Sequence, residues 1–191
     1  MGYRDIYTPI LKPLPVIYIT SKALSKLQGF ISLAEGEISG LGEVEKHGEK
    51  DFLITDLLLF DQECSQASTE LDPDKLVDFM SEAMDEGRDL GKIKLWWHSH
   101  GEFGPSWSLT DDDTIDGLKN SGWMLFVVGS KKLGYRVRLD VFKPIRLTLD
   151  GLRFIHLVTH DELTLESLKG EFAEKVHIIS EGPIPAGGNN G

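Results

Sequence analysis

The sequence predicts an α/β protein, a mixed β-sheet flanked by helices within one domain. Three observations lead there. Short β-branched and aromatic runs alternate with stretches of helical apolar spacing, two pairs of runs are joined by glycine-containing turns, and hairpins intermixed with helices argue against a purely parallel sheet. A chain of 191 residues suffices for one such domain, burying roughly 70% of its unfolded surface.

The elements follow in order. Val16 to Ile19 is a β-branched strand, and Thr20 and Ser21 cap a helix over Lys22 to Leu33, where Leu24, Leu27 and Ile31 recur at helical spacing. Glu37 to Glu45 and Phe52 to Phe60 form a hairpin around Lys46 to Asp51, whose Gly48 suits a positive φ. After a polar loop from Asp61 to Leu71, Asp72-Pro73 starts a helix with Leu76, Phe79, Met80, Ala83 and Met84 on one stripe, ending near Gly87 or Gly91. Ile93 to His98 is a strand, and Ser108 opens a helix that runs to about Lys119. Trp123 to Val128 and Tyr135 to Phe142 make a second hairpin, stopped by Pro144. Arg146 to Val158 holds one or two strands and Glu162 to Lys175 a closing helix. The domain thus spans 16–178, with an N-terminal extension over 1–15 and a glycine-rich, flexible tail over 179–191.

Composition narrows the function classes. The net charge of -11, from 31 acidic against 20 basic residues, repels phosphate backbones, so nucleic acid is not expected as a partner. No apolar run is long enough to cross a bilayer, so a membrane partner is not expected either. The N-terminal residues lack a signal-peptide core, and the single Cys64 fits a reducing compartment; a cytoplasmic location is expected. One thiol also excludes an all-cysteine metal site.

The segment from Leu95 to Asp111 carries the chemistry. It reads L-W-W-H-S-H-G-E-F-G-P-S-W-S-L-T-D and sets His98, His100, Ser108 and Asp111 at the spacing H-x-H-x7-S-x2-D. Strand side chains repeat every second residue, so His98 and His100 project to one side and reach one ion. With the Asp111 carboxylate they supply three ligands, the number a catalytic Zn2+ commonly takes while keeping one position for water. Ser108 and Asp111 also match a helix capping box, which explains those two residues but not the paired imidazoles. Asp112 and Asp113 are rival carboxylates; the serine spacing selects Asp111 and leaves the rivals on the helix's first turn. His47, His156, His160 and His177 carry no ligand spacing and are read as surface or structural. Trp107, beside Ser108, is the tryptophan placed to touch substrate.

This pattern resembles the JAMM (MPN+) zinc metalloprotease family, whose signature joins an upstream glutamate to H-[ST]-H-x7-S-x2-D. The family's glutamate opens a strand written E-[VI]-x-G-L, and Glu37-Ile-Ser-Gly-Leu41 fits that frame, whereas Glu35, Glu43 and Glu45 do not. The resemblance covers most of residues 16 to 145. One position departs: Gly101 stands where the family usually has proline, which is expected to loosen the loop between the ligands. The resemblance implies an MPN, cytidine-deaminase-like architecture and a Zn2+ held by His98, His100 and Asp111. It makes Glu37 the general base and proton shuttle and Ser108 a hydrogen-bond donor to the oxyanion. It further implies cleavage of a peptide or isopeptide bond in a protein substrate, at the C-terminal glycines of a ubiquitin-like or related small protein. The competing reading is a non-catalytic MPN-type scaffold in a larger complex, although scaffolding members usually lack a ligand and none is missing here. A zinc deaminase needs H-x-E with P-C-x-x-C, which one cysteine cannot supply.

Overall fold

The structure, a computed structural model, describes residues 13–64, 73–119 and 122–178. β1 (Val16–Thr20) runs straight into α1 (Ser21–Leu33), because the Thr20 side chain accepts the Ala23 N–H and caps the helix. β2 (Ser39–His47) and β3 (Asp51–Leu58) form the first hairpin, turned at Gly48 with φ +72°. β4 (Gln62–Cys64) and α2 (Pro73–Asp85) follow. The α2 end is closed where the Gly87 N–H meets the Met84 carbonyl and the Arg88 N–H meets the Ala83 carbonyl. After a short 3-10 turn at Leu90–Lys92 come β5 (Ile93–Ser99), α3 (Leu109–Gly117), β6 (Trp123–Ser130) and β7 (Gly134–Val141). β8 (Leu147–Asp150), β9 (Arg153–Leu157), α4 (Leu165–Lys175) and β10 (Val176–Ile178) complete the described chain.

Eight strands form one sheet in the order β8-β7-β6-β5-β2-β3-β1-β9. β1 lies parallel to β3 and β9, and β5 parallel to β6, while the remaining pairs are antiparallel, so the sheet is mixed as expected. The two edge strands, β8 and β9, are joined only by Gly151 and Leu152. The sheet therefore curls until its edges approach, and the Leu152 N–H donates to the Val137 carbonyl across the gap. Helices flank the curled sheet. One face packs Ile17, Leu27, Phe30, Ile54, Leu95, Trp97 and Leu125 into the larger core, with Leu168 of α4 packed in beside α1. The other face packs Leu41, Phe60, Trp96, Met124 and Phe126 against Ile115 of α3 and Leu76, Phe79 and Met80 of α2.

Several boundaries differ from the sequence reading. β2 begins at Ser39 rather than Glu37, because the Ile38 N–H and carbonyl are both engaged by Ser99, at its side chain and backbone N–H. The segment from Asp61 was expected to be a loop, yet Gln62–Cys64 pairs in parallel with β10. α4 starts at Leu165 because Thr164 caps it by accepting the Ser167 N–H. Met84 faces solvent instead of sharing the α2 stripe, since eight residues on from Leu76 place it about 80° around the helix. The expected Asp72 cap, the tail over 179–191 and most of the extension over 1–15 lie outside the described residues. Among the described residues no helix is long and apolar enough to cross a membrane.

Candidate metal centre

β5 is buried on both faces, and its alternation decides what each face receives. Leu95 and Trp97 enter the larger core, whereas Trp96 and His98 turn toward α3. The His100 N–H bonds to the Gly129 carbonyl just past the strand end, so its side chain stays on the His98 side. The two Nε2 atoms lie 2.9 Å apart. The chain then turns away at Gly101, whose φ is +52°. Proline, fixed near -65°, could not make that turn, so the one departure from the H-x-H-P pattern has a backbone cause.

The loop returns to the histidines at Ser108, the N-cap of α3. Asp111 accepts the Ser108 N–H at 2.7 Å through Oδ2, and Ser108 Oγ accepts the Asp111 N–H at 3.1 Å. This capping box fixes the carboxylate with Oδ1 at 3.1 Å from His98 Nε2 and Oδ2 at 3.4 Å from His100 Nε2. Ligand atoms about 2.1 Å from a common ion at tetrahedral angles are about 3.4 Å apart, so these separations need only a slight expansion to admit a cation. Among the described residues this is the one cluster of three or more such groups that could hold a metal.

The electrostatics favour the ligating protonation state at Asp111 and His98, whereas His100 must give up a proton to bind an ion. Burial alone would push the Asp111 carboxyl up, but hydrogen bonds from His100 and His98 and the Ser108 N–H hold it well below the usual carboxylate range. Burial lowers the His98 pKa against the pull of Asp111, so its ring is neutral and offers a lone pair. His100, less enclosed, is raised chiefly by its hydrogen bond to Asp111. His98 is 2% exposed, stacked on Trp96 at 4.4 Å and 19° and flanked by Trp107 at 5.9 Å. Among the described residues its buried Nδ1 has no hydrogen-bond partner, and neither has Trp96 Nε1. Two imidazoles and a carboxylate are a donor set that fits a divalent metal, although an ion on Nε2 would make Nδ1 a donor and no described residue stands behind it to accept.

Glu37 stands just before β2, half-buried, and senses this cluster: burial raises its pKa, the charge of His100 lowers it and Asp111 raises it. Its backbone neighbours are clamped twice. Ser99, between the two histidines, holds Ile38 as described above, at 3.1 Å to the N–H and 2.9 Å to the carbonyl. Gln62, 1% exposed, uses its side-chain amide like a strand backbone, accepting the Ser39 N–H at 2.9 Å and donating to its carbonyl at 2.8 Å. Gln62 was invisible in the sequence, lying in a polar stretch with no period. Ser99 had one signal, since the residue between two same-side histidines faces the opposite way. Two of the three rival glutamates are occupied elsewhere, Glu43 with Arg88 and Glu45 with Lys92, and Glu35 is exposed.

Gly40 explains the glycine of the E-I-x-G-L frame: a Cβ there would meet the Leu58 carbonyl at 2.5 Å and the Trp97 indole at 2.6 Å. Ser108 is exposed, and an oxygen that accepts the cap bond keeps its O–H to donate. Trp107 is half-buried beside His98, with Nε1 donating to Asp150 Oδ1 at 3.1 Å. The other histidines are structural or superficial: His156 meets Ser21 Oγ, His177 meets Asp61 and His47 packs on Tyr18.

No family model matches this chain, and no curated protein does. Among solved structures it is similar to the solution structure of protein DSY2949 from Desulfitobacterium hafniense, with 16% identity and a TM-score of 0.50 over 78% of this chain and 100% of that one. The likeness is one of fold.

Proposed function

We propose that this chain is a zinc-dependent metallopeptidase or isopeptidase of the JAMM (MPN+) type, with the MPN architecture that the motif implies. The observation that carries the reading is the convergence of His98 Nε2 and His100 Nε2, 2.9 Å apart, on the Asp111 carboxylate, whose oxygens lie 3.1 and 3.4 Å from them, beside the half-buried Glu37. A Zn2+ held by these three side chains would supply a Lewis acid and lower the pKa of water. Glu37, whose burial raises its pKa toward the working range, accepts a proton from the attacking water and returns it to the leaving amine. Ser108 donates its O–H to the oxyanion, a contact worth about 3 kcal/mol. No acyl-enzyme forms on Ser108, because no histidine is free to serve as its base. Trp107 walls the cleft against the substrate chain.

The substrate proposed is a protein, cut at the C-terminal glycines of a ubiquitin-like or related small domain, since glycine fits a narrow approach to a recessed ion. The test is zinc analysis of the purified chain together with cleavage of ubiquitin-like fusion proteins. The wild type is expected to carry about one Zn2+ per chain and cut a fusion, and Glu37→Gln to keep the metal and lose cleavage. Zinc without cleavage of any fusion, together with tight binding to a partner, would favour the scaffold reading instead.

A further inference from the structure

α3 is short and has little packing of its own: of its nine residues only Asp111 and Ile115 are buried. Something else must set its rotation, because successive helix residues point about 100° apart and a small turn would swing Asp111 off the histidines. β7 supplies the contact. Arg138 on that strand is 8% exposed, and its Nε and Nη2 donate to Asp140 at 2.5 and 3.2 Å. Asp140 is fully buried and also accepts the Thr148 hydroxyl. The remaining arm of the guanidinium, Nη1, reaches out to Asp112 Oδ1 at 2.7 Å, the residue next to Asp111. Two residues back, Arg136 grips Asp150 with two donors, and Asp150 in turn accepts the Trp107 Nε1–H. The Arg138 guanidinium lies 5.8 Å from the Trp107 ring. β7 therefore holds the chain on both sides of the Ser108–Asp111 cap.

A buried ion pair gives little net stability for its desolvation cost, but it can fix one geometry. With Asp112 pinned toward β7, Asp111, about 100° around the helix, faces the histidines of β5, which lies two strand spacings from β7. We propose that Asp112 and Arg138 are positioning residues for the metal centre, the Asp112–Arg138–Asp140 chain setting the rotation of α3 that aims Asp111 at the two imidazoles. The proposal rests on His98, His100 and Asp111 being metal ligands, and not on the hydrolytic reaction.

The test is the Zn2+ affinity of the full chain, by competition with a chromophoric chelator, with the Co2+ absorption spectrum as a report on ligand geometry. Asp112 is half exposed, so Asp112→Ala removes the acceptor, and with it the tether, without emptying the core. Asp113→Ala controls for loss of one negative charge near the site. The tether predicts Zn2+ binding about tenfold weaker in Asp112→Ala, within the range seen when outer-shell partners are lost, with an altered Co2+ spectrum. Asp113→Ala keeps both unchanged. Arg138→Met leaves Asp140 uncompensated and can unfold the chain; if it folds, adding Asp112→Ala to it weakens binding no further. Wild-type affinity and spectrum in Asp112→Ala, or the same loss in Asp113→Ala, overturns the proposal while the metal reading stands. A wild-type chain that takes up no Zn2+ overturns both.

Discussion

The two faces of β5 differ in what they hold, although they alternate along the same seven residues. On one face Trp97 is fully enclosed and its Nε1 donates to the Leu41 carbonyl at 2.9 Å, so that face is apolar and satisfied. On the other, one residue away in each direction, Trp96 and His98 each bury a nitrogen with no partner among the described residues, and two imidazoles meet a carboxylate. The first face is built for stability. The second carries polar groups at a desolvation cost, among them the imidazole Nε2 atoms and carboxylate oxygens that an ion would take up, and such costly polar clusters are candidates for function.

Substitutions can break this contrast, and the largest effect is expected on the apolar face. Trp97→Ala should cost about 3–5 kcal/mol in urea unfolding, and an equal loss of apo-protein stability in His98→Ala would erase the distinction between the faces. Asp111→Asn should weaken Zn2+ binding by more than the 10–100-fold of an outer-shell change, read by chelator competition, while the apo chain stays folded. Gly40→Ala, which sets a Cβ against the Leu58 carbonyl and the Trp97 ring, should destabilise by about 1–3 kcal/mol in the same unfolding assay.

Acidity sharpens the contrast further. The His100 pKa is raised, so its interaction with Asp111 stabilises the apo chain below the ordinary histidine value of about 6.5 and is lost as pH rises through the raised one. An ion must displace that proton, so Zn2+ affinity should climb by up to about tenfold per pH unit through this range and level off above it. A flat profile from about pH 6 to 8 would contradict the protonation assigned to His100. The smallest effect on stability is expected at Ser108→Ala, which removes a helix cap worth about 1 kcal/mol, visible as a modest fall in Tm.

Much of this was legible before the fold was known, for physical reasons that also mark where legibility ends. His98, His100 and Asp111 could be read because a strand period of two and a capping box are local rules, and both operate here. The hairpins β2–β3 and β6–β7 were readable from apolar runs and their turns. β4 and β10 were not, since three-residue strands carry no period and their pairing joins distant parts of the chain. Glu37 was singled out only by its motif frame; its approach to His100 and Asp111 depends on Ser99 and Gln62, whose contacts follow from strand order. Arg138 and Asp140 alternate like the wet face of an edge strand, yet β7 is covered by β8 and α3, and both side chains are buried.

The most direct test of the central claim is an anomalous difference map from crystals of the full chain grown with Zn2+ and measured at the zinc edge. One strong peak per chain is expected within about 2.0–2.2 Å of His98 Nε2, His100 Nε2 and an Asp111 oxygen. Zinc bound elsewhere, or imidazoles turned apart with no peak between them and Asp111, would contradict it.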